Sequence, residues 1–559
     1  MILIFFTWIV MCWFFLSTGI FFKSILKLTN IDLPITVFLG MFVQSLMLST
    51  CCFFTKIGFE IFLLNLGCNG LLFFYFRQKI TSDLKGFIFD IKKTNIYSKS
   101  ILIQILVLSL YKCSMKPFLI DNESYYIQTI KWINEYGFVK GLANLHIFLA
   151  QISPFHALQA GFNFSFLTNN INDINGLILV ISSLFFVLKA EKFYTENHKF
   201  SFLNFLLIFN FLYFQFICQP SPDFVLIIIS QIIFYLYLEE NKNENALKSS
   251  IFLFLFIVFV KITIAPLGLL LVIWMIQLRK YFKIFVISST LILLILILKN
   301  SNISGYPFYP FDFYSLNVDW KIPENLFNFI TDSTKNTGYF ENQVIVNPTF
   351  FQKIIGWLNL SGLNRIFNFG MLLLFILTLF TPEFRKSKIY QNLYFVILIH
   401  FFVLLFTSPQ FRYFLPEFIF FTVLIVANFA NYFKINYSVI QISVLIFIIF
   451  SSIFIEYYDF KNITDNKLMQ QNSSFKFKNF LIPEKNSKYD AMTFEKVKNG
   501  NLNYYSPTTN FFFFGTADGK LPCVNKYQID YLEKYYFIKP QMRTDKIENG
   551  FYSEILKTE

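Results

Sequence analysis

Phe118-Leu-Ile-Asp-Asn-Glu-Ser-Tyr-Tyr-Ile-Gln-Thr-Ile-Lys-Trp-Ile-Asn-Glu-Tyr-Gly-Phe-Val-Lys-Gly141 is a water-compatible stretch inside a chain that otherwise reads as membrane. Asp121 and Glu123 follow a short apolar run, and Tyr126, Ile130 and Ile133 then fall on one face of a helical pattern. The side of the bilayer that this stretch faces decides how the chain is threaded, and the sequence on either side of it supplies the answer.

The chain has 559 residues, 55% of them hydrophobic and 14% charged, with a mean hydropathy of +0.53. A soluble domain carries about 25% charged residues. Repeated apolar runs of about 15–22 residues give the fold class, an all-α polytopic membrane protein. The 80 Phe, with the excess of Ile, Asn and Lys, read partly as coding bias, so a Phe stripe carries no cofactor signal here. The net charge of +13 sits in short loops between apolar runs. The positive-inside rule and anionic lipid account for it, and nucleic acid is not an expected partner. The seven Cys show no CxxC or Cys/His spacing, which argues against redox or zinc chemistry. The first run, 1–22, lacks a basic start and a small-residue cleavage site and reads as a retained span.

Loop charge sets the topology. The richest basic loop, 77–100, carries Arg77, Lys79, Lys85, Lys92, Lys93 and Lys99 and belongs in the cytoplasm. Runs at 1–22, 34–54 and 58–76 precede it, and the run at 100–117 crosses outward and delivers Asp121 and Glu123 to the outer face. Residues 142–169 are semi-polar and read as helices lying along the outer surface. Spans at 174–190, 200–218 and 223–238 follow. The stretch 249–278 is interrupted by Lys261, Pro266 and Gly268 and reads as two short helices. A span at 283–298 leads to an outer loop at 299–364, with Ser304-Gly-Tyr-Pro-Phe-Tyr-Pro310 and Asn317-Val-Asp-Trp-Lys-Ile-Pro323. Spans at 366–381, 390–407, 413–431 and 436–455 complete about fourteen transmembrane helices. Three regions result: N-terminal helices with a basic loop (1–99), a core (100–456) with outer loops 118–170 and 299–364, and a small folded extracytoplasmic cap (457–559).

Threading places Asp121, Glu123, Asp223, the 305–310 loop and Arg412 on one outer face. These residue types suit sugar transfer. An acceptor hydroxyl needs a carboxylate base, and a departing phosphate needs positive charge. Asp121 and Glu123 would hold a divalent metal, Mg or Mn, if the chain is extended there, or present separate carboxylates at a helix start. Arg412 offers a two-pronged phosphate contact, and Lys261 approaches the same headgroup from the membrane side. Each residue also has a plainer reading. Asp121 and Asp223 suit helix capping, Glu123 suits a first turn, and Arg412 suits an interfacial anchor. His146 and His156 read as interfacial polar residues.

The order of a short span, an outer Asp-x-Glu-x-Tyr-Tyr loop, a second outer acid and a late Arg-Tyr-x-x-x-Pro resembles the GT-C fold glycosyltransferases over about residues 100–456. It is most similar to an uncharacterised group of bacterial membrane proteins that share the Ser-Gly-Tyr-Pro-x-Tyr-Pro loop and the Asp-Trp-Lys-x-Pro stretch. The resemblance implies a GT-C-like core, a polyprenyl-linked sugar donor, a glycan or lipid acceptor, and a place in the bacterial inner membrane in contact with membrane lipid. It maps the catalytic acid onto Asp121 or Glu123, with Asp223 as the second acid. Arg412, Lys261, Tyr125, Tyr306 and Tyr309 would bind substrate. The spacing departs from the adjacent Asp-Glu or Asp-x-Asp pair commoner in that fold. Two rival readings are an O-antigen-type polymerase or ligase and a lipid or glycan transporter.

Overall fold

The computed structural model describes residues 1–340, 345, 348–457, 475–489, 491–508 and 511–556. Among them ten helices are long and apolar enough to cross a membrane, from Ile2–Ile25 to Phe411–Tyr432. Three shorter apolar helices, Phe202–Tyr213, Ile262–Leu278 and Tyr437–Phe450, add to them. The chain is a predominantly helical, polytopic membrane protein. Its apolar runs are helical because a backbone in hydrocarbon must satisfy its own N–H and C=O groups.

The helices Ile2–Ile25 and Leu33–Cys51 cross with their backbones in contact. A Cβ on Gly19 would meet the Thr36 carbonyl oxygen at 2.0 Å, and one on Gly40 would meet that of Phe15 at 1.8 Å. Small residues permit such an approach where no hydrophobic force draws helices together. Neutral side chains attach the third helix. Thr18 Oγ1 donates to Asn69 Oδ1 (2.7 Å), Gln44 Nε2 to Thr18 Oγ1 (2.8 Å), and Asn65 Nδ2 to Gln44 Oε1 (2.9 Å). All four side chains are buried, and such bonds contribute about 0.6–2 kcal/mol each in lipid.

That third helix corrects the expected span at 58–76 and basic loop at 77–100. Phe59–Lys93 is one helix of 35 residues, about 52 Å long at 1.5 Å per residue. It outruns the hydrocarbon core of about 30 Å, and Lys23 ties its charged half back through Asp83 (2.9 Å). No proline interrupts residues 77–93, so the helix continues until Thr94. Asn95 then caps Ile96–Cys113 by accepting from the Ser98 N–H (2.8 Å). The first hundred residues share the core of the rest: Trp8 Nε1 donates to Asp173 (2.9 Å), and the Phe22 ring meets Phe252 edge-on at 5.0 Å.

Residues 142–161 depart from the expectation of surface helices. They form Leu142–Leu145, Ile147–Gln151 and Pro154–Gly161, and all but Phe148, Gln151 and Gly161 are buried. Their polar groups bond inward. Asn144 Nδ2 donates to the Trp320 carbonyl (2.9 Å), Ser153 Oγ to that of Val260 (2.7 Å), and the Ile174 N–H to Gln159 Oε1 (3.1 Å). The 200–218 run is helical only to Tyr213. The stretch 249–278 breaks at Lys261, whose backbone is extended (φ −156°, ψ 119°), into Glu244–Val260, Ile262–Leu267 and Gly268–Leu278. The 299–364 loop contains the helices Glu324–Phe340 and Phe350–Asn359. Its residues 341–344 and 346–347 lie outside the described residues.

The C-terminal region adds strands that an all-α reading omitted. Phe494–Asn499 pairs antiparallel with Leu502–Pro507, and Ile538–Met542 with Phe551–Ile555. The helix Lys526–Tyr536 lies between the two hairpins in sequence. Residues 458–474, where the cap was expected to begin, lie outside the described residues. The cap rests on the opening stretch: the Thr516 and Ala517 N–H groups both donate to the Glu123 carbonyl (2.9 Å each), Gln128 Nε2 donates to Gly519 (2.9 Å), and the Phe551 N–H donates to Lys140 (3.0 Å).

Gly40→Leu should destabilise the protein by more than about 2 kcal/mol, because a backbone must move to admit the side chain. Gly67→Leu, on an open face with nothing within 4 Å of its Cβ position, should leave the thermal midpoint in detergent unchanged.

Candidate functional site

Four segments far apart in sequence bring their charges together. Asp121 stands at the start of the opening stretch, Asp223 in the first turn of Pro222–Glu239, Lys261 at the helix break, and Arg412 in the first turn of Phe411–Tyr432. Arg412 Nη1 donates to Asp121 Oδ2 at 3.1 Å and lies 3.9 Å from Asp223 Oδ2. Lys261 Nζ is bonded to Asp223 Oδ1. Two carboxylates and two cations alternate in the order Asp121, Arg412, Asp223, Lys261, and the Tyr413 side chain, in contact with both cations, closes the ring.

The ring is floored and open. The Asp223 side chain is 6% exposed, against 27% for Asp121, 33% for Arg412 and 24% for Lys261. A cation in the first turn of a helix opposes the helix dipole, so Arg412 depends on its acids and on Gln410, whose Oε1 accepts from Nε (2.9 Å). Tyr413 joins the two cations: Lys261 Nζ lies 4.4 Å and the Arg412 guanidinium 5.2 Å from its ring centre, within the range of cation–π attraction.

These contacts bear on the plainer readings. Asp121 starts the helical turn but makes no capping hydrogen bond; its carboxylate goes to Arg412. The cap position before Asp223 belongs to Ser221, and the Asp223 carboxylate is spent on Lys261 and Arg412.

Glu123 turns away from the ring. Asp121 is helical (φ −59°, ψ −26°), and side chains two apart on a helix do not face each other. Glu123 is buried, accepting from Ser487 Oγ (2.6 Å), the Lys488 N–H (2.9 Å) and Asn122 Nδ2 (3.1 Å). It anchors the cap. The Asp121–Glu123 pair therefore does not fit a metal, since it required an extended chain. Among the described residues no three His, Cys, Asp or Glu side chains gather as a metal group.

Tyr125 is buried beside the ring, its own ring 4.7 Å from Tyr126. Burial pushes its hydroxyl well above the ordinary pKa, with Asp121 adding to the rise. Tyr306 and Tyr309 make their contacts elsewhere, packing on Phe327 at 4.4 and 5.8 Å.

The chain belongs to the DUF8201 family, a domain of unknown function. The match covers residues 1–420. No curated protein and no solved structure matched the chain. The DUF8201 region takes in Asp121, Asp223, Lys261 and Arg412, and ends before the cap that holds Glu123.

Sequence reading missed a buried His–Glu pair within the DUF8201 region. His400 Nδ1 lies 2.8 Å from Glu417 Oε1, both about 1% exposed. His400 Nε2 lies 3.0 Å from the Thr263 carbonyl, which only accepts, so Nε2 carries a proton. Glu417 follows Arg412 by five residues and Thr263 follows Lys261 by two, so the pair braces both cation-bearing segments. An ionisable residue inside each of two apolar runs was the signal.

Glu417→Ala should cost roughly 3–5 kcal/mol by stranding a buried His400, and His400→Phe with Glu417→Leu should recover part of it. Thermal midpoints of the purified chain check this. Burial raises the Glu123 pKa above its ordinary 4.5, against its hydrogen bonds. The folded chain then holds that proton more tightly than the unfolded one. The resulting stabilisation is complete below pH 4.5 and is lost as pH rises through the raised pKa. Glu123→Gln should flatten the pH dependence of the melting temperature over that window.

Proposed function

We propose that this chain is a membrane glycosyltransferase of GT-C type, acting at the outer face of the bacterial inner membrane. It would move a sugar from a polyprenyl-linked donor to a glycan or lipid acceptor in cell-surface glycan synthesis. The observation that carries the reading is the ring of Asp121, Arg412, Asp223 and Lys261. The reading keeps about fourteen spans, counting the short apolar helices, and a GT-C-like core.

Sidedness rests on charge. Ile96–Cys113 starts beside the basic segments and ends near Asp121. Its 18 residues span about 27 Å at 1.5 Å each, close to the thickness of the hydrocarbon core. Lys23, Lys79, Lys92, Lys93 and Lys189 lie towards its start, so positive-inside placement puts the ring and the cap outside.

The chemistry follows from the ring. Arg412 and Lys261 take the donor phosphate at the membrane boundary. Arg412 then has a better partner than Asp121, whose carboxylate is released towards the acceptor. Asp121 accepts the acceptor's hydroxyl proton, the oxygen attacks the anomeric carbon, and the bond from that carbon to the phosphate oxygen breaks with inversion. The lipid phosphate leaves with the electron pair, neutralised by Arg412 and Lys261. Asp223 keeps the two cations in place. No step needs a metal held by Asp121 and Glu123.

One observation favours a transporter as the second reading: a broken helix at Lys261–Leu267 beside the buried His400–Glu417 pair, an arrangement used for ion coupling. Mass spectrometry separates the two. Asp121→Asn protein purified from its host should retain a polyprenyl-linked sugar that the unaltered chain turns over, with transfer down about 100-fold or more. Equal turnover by both proteins, or proton-driven uptake into liposomes abolished by Glu417→Gln, would reject the transferase.

A further inference from the structure

Another basic position lies one hydrogen-bonded step from the ring, and sequence reading did not select it. Lys299, near the end of the helix Phe282–Ser304, is 7% exposed. Its ammonium donates to the Ile152 carbonyl at 2.5 Å and meets no carboxylate among the described residues. Lys23 and Lys189, also withdrawn from solvent, are neutralised by Asp83 and by Asp32 and Glu240, each at 2.9 Å. A neutral carbonyl leaves the Lys299 charge uncompensated, which is costly in a low-dielectric setting.

Its neighbours connect it to the ring. Ile152 holds Lys299, and the next residue, Ser153, donates to the carbonyl of Val260 (2.7 Å), which precedes Lys261. One dipeptide step therefore holds a cation-bearing segment on either side. The Ser153 N–H donates to His156 Nδ1 (3.1 Å). Burial, then the charges of Lys299 and Lys261, hold the His156 pKa down to about 3. A neutral imidazole accepting at Nδ1 carries its proton on Nε2. That Nε2 is fully buried, lies towards the Pro220 carbonyl and completes no hydrogen bond. The His156 ring lies against Tyr126 and Tyr125, with centres 5.3 and 6.3 Å away, and Tyr125 adjoins Asp121 and Arg412. Gln151 is exposed and lies against the Tyr309 hydroxyl, so the segment that carries Ile152 and Ser153 begins at the surface.

The charges decide what this position would take. The ring is neutral in itself, with two acids and two cations. Lys299 adds one positive charge, and His156 adds an N–H donor held only weakly, towards the Pro220 carbonyl. We infer that Lys299 and His156 form a second phosphate subsite, so that the donor is a polyprenyl diphosphate sugar. The inference rests on the proposed phosphate role of Arg412 and Lys261. A diphosphate carries one more negative charge than a monophosphate, matching the added charge of Lys299. The bond from the anomeric carbon to the diphosphate oxygen breaks. The diphosphate leaves with the electron pair, and the acceptor's proton passes to Asp121. Lys299 and His156 stabilise the added charge on the leaving group.

The test uses the full chain in detergent, with geranyl phosphate and geranyl diphosphate as lipid probes and phosphate and pyrophosphate as soluble ones, read by calorimetry and thermal shift. The unaltered chain should bind each diphosphate probe about tenfold or more tightly than its monophosphate. Lys299→Met should erase that preference while leaving monophosphate binding unchanged, and Lys299→Arg should keep it. The comparison on the unaltered chain stands even if Lys299→Met does not fold. Equal binding of mono- and diphosphate by the unaltered chain, or a preference that survives in Lys299→Met, overturns the inference alone. Arg412→Met that binds every probe as the unaltered chain does overturns the phosphate reading of the ring, and this inference with it.

Discussion

Arg412 and Asp121 meet at 3.1 Å although 291 residues separate them in sequence, and this contact organises the rest of the structure. It joins the start of the stretch under the cap to the first turn of a late helix. An arginine at a helix N-terminus is misplaced with respect to the helix dipole. Asp121 and Asp223 offset that cost, and Lys261 in turn balances Asp223. Removing Arg412 would strand Asp121, and removing Asp223 would strand Lys261, each a charge left without its partner. A phosphate is the chemical group that replaces a carboxylate at an arginine with least loss. On the proposed reading, the resting ring holds Asp121 masked by the cation that the donor phosphate would occupy.

The buried polar content follows one rule in two forms. Towards the N-terminus neutral amides and a hydroxyl, Thr18, Gln44, Asn65 and Asn69, link three helices with little desolvation cost. In the later helices ionisable groups occur in pairs, His400 with Glu417 and Lys261 with Asp223. Lys299 carries its charge without a carboxylate partner among the described residues, and it lies one dipeptide step from the helix break. The discontinuity at Lys261 makes this possible. An extended residue between two helices frees its side chain to reach the ring, while Thr263 is held by His400.

Much of this was legible before any coordinates. The apolar runs gave the helices, because period and length alone identify a membrane span. Lys and Arg counts brought Asp121, Asp223 and Arg412 to one end, and the break at Lys261 was visible from its charge and Pro266. Other features were hidden for physical reasons. Glu123 looked like a partner of Asp121 because spacing alone does not reveal that the backbone is helical, which turns the two side chains apart. The segment around His146 and His156 looked interfacial because its polar groups have partners, such as Val260 and Trp320, that are remote in sequence. The strands of the cap were short and flanked by aromatic runs. The length of Phe59–Lys93 was concealed by its change from apolar to charged residues, which alters hydropathy without ending a helix.

The most direct measurement is a cryo-electron microscopy map of the full chain in lipid nanodiscs with added polyprenyl phosphate. The account predicts phosphate density within hydrogen-bond distance of both Arg412 and Lys261, with the Asp121 carboxylate freed from Arg412 and facing the aqueous side. Phosphate bound away from these residues, or Asp121 and Arg412 on opposite sides of the molecule, would contradict it.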